Sequence, residues 1–142
     1  MSKYTFCEAK DLNKFNEFSE NNGGSIYQTS YWAEVKNAWK PSFYMGYDEN
    51  GVEVLSCLCL ERDVKVGKLW YCPDGFVCDL TNENLVVDFC SYIKGEMKKH
   101  KICAMVCDPL IVEKINGEAR DTSAINSLIK GGFVLNEDKD FY

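Results

Sequence analysis

Ser42-Phe43-Tyr44-Met45-Gly46-Tyr47-Asp48-Glu49-Asn50-Gly51-Val52-Glu53-Val54-Leu55-Ser56-Cys57-Leu58-Cys59-Leu60 decides how this chain folds. The stretch from Ser42 to Tyr47 reads as a strand, Asp48 to Gly51 is a strong turn signal, and Val52 to Leu60 returns as the partner strand. Aromatic and β-branched residues suit a pleated surface, and an Asn-Gly step supplies the positive φ of a tight hairpin turn. Downstream, Arg62 to Gly67 reads as a polar connection, Lys68-Leu69-Trp70-Tyr71 as a further strand, and Pro73-Asp74-Gly75 as a turn. The middle of the chain is therefore expected to hold at least a three-stranded antiparallel meander.

Helices flank this meander in the sequence. Upstream, Tyr4 to Glu8 is a strand candidate, and Asp11 is placed to cap a short helix with Leu12, Phe15 and Phe18 on one stripe. Asn21-Asn22-Gly23-Gly24 ends that helix. A second helix starts at Thr29 or Ser30, turns Trp32, Val35 and Trp39 toward the core, and is closed by Pro41. Downstream, Thr81 is expected to cap the clearest helix, in which Leu85, Phe89, Tyr92, Ile93 and Met97 share a face and Lys94, Lys98, Lys99, His100 and Lys101 crowd the C-terminal end. Ile102 to Cys107 is a continuous apolar strand of the kind found inside a sheet, stopped by Asp108-Pro109. Glu113 to Arg120 looks like a loop. Thr122 to Lys130 is a final helix with Ala124, Ile125, Leu128 and Ile129 inward, Gly131-Gly132 stops it, and Phe133-Val134-Leu135 begins another strand.

With 142 residues, 46% hydrophobic and 13% aromatic, the chain suits one compact domain with a real core. At this length roughly two thirds of the unfolded surface can be buried without a covalent staple. No apolar run approaches the roughly 18 residues of a membrane span, and Met1 to Glu8 lacks the apolar stretch of a signal peptide. The expectation is a cytoplasmic single domain over residues 1–142. Sixteen basic against twenty-two acidic residues, a net charge of −6, disfavour a dedicated DNA- or RNA-binding surface. The eight cysteines show no CxxC pair, and Cys57, Cys59, Cys103 and Cys107 sit in apolar, strand-like runs. Reduced cysteines acting as small hydrophobes account for them better than zinc or disulfides, so no metal site is expected.

Standard catalytic constellations are scarce. His100 is the one histidine, which argues against Ser-His-Asp or Cys-His chemistry, and there is no GxxxxGK[ST] and no GxGxxG after a strand. Two polar positions stand out. Asp108 follows a buried strand, where its carboxylate either orients an attacking amine or makes an Asx-type turn before Pro109. Lys36 lies one turn from Trp32 and Trp39, whose rings could hold its stem while the ammonium reaches a phosphate; otherwise it is an ordinary exposed helix lysine.

The order strand, two helices, meander, helix, strand, helix, strand resembles the N-acetyltransferase (GNAT-like) arrangement, an α+β fold with a mixed, largely antiparallel sheet flanked by helices. An acetyl-CoA-dependent member of that fold carries an Arg/Gln-x-x-Gly-x-Gly/Ala loop at a helix start. Lys130-Gly131-Gly132-Phe133 lies at a helix end instead, so CoA is disfavoured and no cofactor is implied.

Gln28-Thr29-Ser30-Tyr31-Trp32-Ala33-Glu34-Val35-Lys36 resembles the Q-S-x-x-W-x-x-x-K segment of the FemABX family, transferases that use aminoacyl-tRNA to build the peptidoglycan interpeptide bridge. Trp39-Lys40-Pro41 and the following strand are similar to that family too. So are Tyr71-Cys72-Pro73-Asp74-Gly75-Phe76-Val77-Cys78-Asp79, set against Y-x-P-R-G-P-V-x-D, and Gly132-Phe133 after the last helix. Asp74-Gly75-Phe76 departs from R-G-P by exchanging a cation for an anion. The resemblance implies the first GNAT-like domain of a two-domain protein, ending near Tyr142. It implies a cleft for the cell-wall precursor, UDP-MurNAc-pentapeptide or lipid II. Lys36 would then contact the precursor diphosphate, Asp108 would stand near the acceptor amine as the catalytic residue, and Trp32 and Tyr71 would line the substrate site. Aminoacyl-tRNA would engage only through a second domain or a partner subunit, a homodimer being one way to rebuild the cleft. The alternatives are a catalytically incomplete binding module of the same fold and a small GNAT-type acyltransferase.

Overall fold

The computed structural model describes residues 3–65, 67–108, 114–115, 118–119 and 123–134. Strand β1 (Thr5–Glu8) leads to helix α1 (Leu12–Asn21), a 3-10 turn η1 (Ile26–Gln28) and helix α2 (Ser30–Val35). Strands β2 (Lys40–Tyr47), β3 (Glu53–Val64), β4 (Gly67–Cys72) and β5 (Val77–Cys78) follow, then helix α3 (Glu83–Lys99) and strand β6 (Ile102–Cys107). A short ribbon of β7 (Lys114–Ile115) and β8 (Glu118–Ala119) precedes helix α4 (Ser123–Lys130). The main sheet runs β1-β2-β3-β4-β6, with β5 also pairing β3. All its pairings are antiparallel except β4 with β6. This is the expected GNAT-like α+β arrangement.

The two faces of the sheet carry two cores. On one face α1 and α2 bury Phe15, Phe18, Ala33, Met45, Leu58, Leu60 and Val77, with Trp32, Trp39 and Phe43 packed alongside. On the other, Tyr44, Leu55, Cys57, Cys59, Trp70 and Cys72 meet Leu85, Phe89 and Ile93 of α3 and Leu128 of α4. The period-2 alternation of β3, Leu55, Cys57 and Cys59 to one face and Leu58 and Leu60 to the other, is what feeds both layers. Each fully buried large side chain contributes about 1.5–3 kcal/mol relative to exposure.

Local signals explain most boundaries. Asp11 caps α1 by accepting from Asn13 N at 2.9 Å and Lys14 N at 3.3 Å. Asp48 closes the β2–β3 turn by accepting from Asn50 N and Val52 N, and Gly51 takes φ +77° there. Helix α4 ends in a Schellman arrangement, with Phe133 N–H on Leu128 O and Gly132 N–H on Ile129 O, Gly132 sitting at φ +111°.

Several expectations need correction. Asn82, not Thr81, caps α3; its side chain accepts from Leu85 N. Helix α2 stops at Val35, which is 67% exposed, so only Trp32 and Trp39 of the expected stripe pack inward, and Pro41 lies inside β2 opposite Leu60. Strand β3 continues through the charged Glu61-Arg62-Asp63 to Val64, because β4 pairs it residue by residue to Gly67. Leu12 and Ile129 are largely exposed. Instead of a loop, Lys114–Ile115 and Glu118–Ala119 pair antiparallel. Phe133 and Val134 are not in a strand; the continuation from Leu135 and the positions Pro109, Glu113, Arg120, Thr122 and Tyr142 lie outside the described residues.

Candidate functional site

The parallel strands β4 and β6 end side by side, Cys72 opposite Cys107, and the residues just beyond them form the site. Side chains alternate along β4. Trp70 and Cys72 go into the α3 core, so Tyr71 points to the α2 face, where its ring meets Trp39 at 6.2 Å. Asp108, the first residue after β6, receives the Tyr71 hydroxyl on Oδ2 at 2.8 Å and the Asp74 backbone N–H on Oδ1 at 2.5 Å. Both oxygens of Asp108 thus hold donors, and the turn after β4 is tied to the end of β6. Asp74 adopts φ +49° in this turn and takes a bond from Ser25 Oγ on its Oδ2 at 2.8 Å.

The second half of the site is α2. Lys36, at its C-terminal cap, carries its Nζ over the Trp32 ring, 5.3 Å from the centroid, and Tyr27 packs edge-on to the same ring at 4.6 Å. Trp39 takes Arg62 rather than Lys36, at 5.5 Å. Its backbone N–H nevertheless bonds the Lys36 carbonyl, so the segment bearing Lys36 is anchored to the strand bearing Tyr71. The structure therefore joins Tyr71 to Asp108 and Trp32 to Lys36, with Trp39 between the pairs. His100 sits at the opposite end of β6, against Trp70 at 5.7 Å. Six strand residues, roughly 20 Å, separate it from Asp108.

Gln28 underlies the whole arrangement. Strand β3 pairs β5 up to Ser56 and β4 from Leu60, leaving Leu58 without a strand on that side. The fully buried Gln28 amide fills the gap: Oε1 accepts from Leu58 N at 2.9 Å and Nε2 donates to Leu58 O at 3.4 Å. Nε2 also donates to Pro73 O at 2.7 Å. Gly75 lies so close that a Cβ there would stand 2.5 Å from Gln28 Cδ. These contacts span 30 and 45 positions in the chain, so no local spacing reveals them.

The profile of the FemAB family matches residues 11–133, a span that includes Gln28, Lys36, Tyr71, Gly75 and Asp108. The chain belongs to the FemAB family. A crystal structure of FemX is similar with a TM-score of 0.78 at 21% identity, over 92% of this chain and 32% of the FemX chain. This FemAB chain therefore spans about a third of the length of that FemX chain. No curated protein sequence matches.

Chemistry elsewhere in this FemAB chain is subdued. The Sγ atom of Cys57 lies 3.6 Å from that of Cys59 and 3.5 Å from that of Cys72, and all eight thiols are free. Burial pushes the Cys57 and Cys107 thiols well up; at Cys72 burial is opposed by hydrogen bonds from Cys107, Cys57 and Gln28, which pull it below its neighbours. Burial likewise raises Cys90 to about 12. An apolar cavity of about 320 Å³ lies between α3, β6 and the end of α4, lined by Cys90, Met97, Met105 and Phe133 among others and by none of Lys36, Trp32, Tyr71 or Asp108. Among the described residues no helix is long and apolar enough to cross a membrane, and no cluster of three or more His, Cys, Asp or Glu side chains suits a metal ion.

Proposed function

We propose that this chain is the acceptor half of an aminoacyltransferase of peptidoglycan interpeptide bridge synthesis, a single GNAT-like domain over residues 1–142 that binds the cell-wall precursor. The observation that carries the reading is Asp108, fixed by Tyr71 and Asp74 at the end of β6 on the same sheet face as α2 with its Trp32–Lys36 pair. Lys36, its ammonium over the Trp32 ring, is suited to a diphosphate. Asp108 would accept a hydrogen bond from the stem-peptide amine and aim the amine lone pair at an aminoacyl ester, with Tyr71 setting the carboxylate's direction and Trp32 contacting the substrate. Aminolysis of an ester is downhill, so holding amine and ester together supplies much of the acceleration and no strong nucleophile–base pair is needed. Aminoacyl-tRNA would be engaged by a second domain or a partner subunit; the net charge of −6 supports leaving that contact to another surface.

A small CoA-dependent acyltransferase is the less favoured reading. The N-terminus of α3, where a pyrophosphate would sit, has its Leu85 N–H taken by Asn82 and carries Glu83 in its first turn and Asp79 just before it. Asp74, an anion where the family pattern has arginine, favours a binding module that has lost transfer. Calorimetric titration with UDP-MurNAc-pentapeptide, with acetyl-CoA for comparison, tests these readings. Saturable precursor binding that is lost in Lys36→Ala is expected. Heat with acetyl-CoA alone would replace the proposal with the acyltransferase reading, and silence from a folded sample with both ligands would refute substrate recognition by this chain.

A further inference from the structure

We propose that Gln28 is a positioning residue, which holds α2, with Trp32 and Lys36, in fixed relation to the Pro73–Phe76 turn and through it to Asp108. The inference rests on the reading of those residues as the precursor site. Its starting point is geometric. The three-residue helix η1 and its N-cap Ser25 grip two successive residues of the turn: Gln28 Nε2 bonds Pro73 O at 2.7 Å, and Ser25 Oγ bonds Asp74 Oδ2 at 2.8 Å. The Asp74 N–H then bonds Asp108 Oδ1, so the grip is passed on to the end of β6. In the other direction η1 runs directly into α2, with Thr29 as the C-cap of one and the N-cap of the other, its Oγ1 bonded back to Ile26 O at 2.6 Å.

The same amide is anchored from below. Its bonds to both backbone groups of Leu58 fix the side chain against the centre of the sheet, so the turn and α2 share a reference on β3 rather than on each other. Gly75 lies flat on this amide; with a Cβ 2.5 Å from Cδ, no side chain fits between them. A glutamine that only closed the gap in the sheet at Leu58, whose buried N–H would otherwise lack a partner, has no need to bond Pro73 as well. The bond to Pro73 is what a positioning role adds.

Two variants test this. Gln28→Met keeps length and volume without hydrogen bonds, and Ser25→Ala removes only the second grip. The readouts are the Asp74 backbone amide, by resonance position and hydrogen exchange in the ligand-free protein, and affinity for UDP-MurNAc-pentapeptide, both at a temperature where the variants are folded. Gln28→Met should move the Asp74 amide resonance, speed its exchange and weaken precursor binding about tenfold or more; Ser25→Ala should act in the same direction and less. A lowered Tm with the Asp74 amide and the affinity unchanged would overturn the proposal. If Gln28→Met does not fold, an unperturbed Asp74 amide in Ser25→Ala overturns it alone. A wild-type chain that ignores the precursor while its Asp74 amide responds to both substitutions would support the positioning role and remove the proposed function.

Discussion

Asp108 and Tyr71 act as a pair. Neither is unusual in isolation. Their meaning comes from the bond that joins them across 37 positions, placed by two parallel strands ending at the same level. Removing the hydroxyl with Tyr71→Phe takes one donor from a half-buried carboxylate, which should lower stability by about 1 kcal/mol. Urea denaturation with an unchanged m-value would show it. On the proposed function the same variant binds precursor more weakly, because Asp108 loses the contact that sets its direction. Lys36 is the simpler case, with its partner one helical turn away and its placement over Trp32 already suggested by spacing.

At the scale of elements, two glycines make opposite predictions. Gly95 lies inside α3 with open space where a Cβ would go, so Gly95→Ala should stabilise the protein by about 0.4–1 kcal/mol through helix propensity and reduced unfolded-state freedom. Gly75→Ala drives a methyl onto the fixed Gln28 amide and should destabilise by about 1–3 kcal/mol. Thermal unfolding of the two variants side by side, Tm rising for one and falling for the other, checks both. These elements were unequally legible. The β2–β3 hairpin and α3 follow from local pattern, since turn chemistry and an apolar stripe are written in neighbouring residues. The extension of β3 through Glu61-Arg62-Asp63 does not: three charges read as a loop until pairing with β4 supplies the backbone bonds. Helix α2 reads longer in the sequence than it is because Val35 fits the stripe, while the chain turns out at Lys36 to bring Trp39 onto Tyr71. Gln28 was visible only as part of a resemblance, because its work depends on a gap in a sheet that sequence cannot display.

The whole molecule is two cores on one sheet, and its pH response belongs to this scale. Burial raises the Tyr44 and Tyr92 hydroxyls above their ordinary value of 10.0, with Tyr92 further raised by its bond to Glu96. Above about pH 10 the unfolded chain releases these protons while the folded one keeps them. The unfolded state then binds fewer protons, and stability falls as pH rises. The contribution is fully present below that pH. Denaturant midpoints should therefore be flat through neutral pH, as far as these two groups decide, and decline above 10, with Tyr44→Phe reducing the decline.

On the proposed function, substrate meets this chain at the ends of β4 and β6 beside α2. The most direct test is a ¹⁵N-edited NMR titration with UDP-MurNAc-pentapeptide. Amide shifts concentrated at Lys36, Trp39, Tyr71 and Asp74, saturating together, are expected. Shifts gathered instead around Cys90, Met97, Met105 and Phe133, at the apolar cavity between α3 and β6, would contradict it.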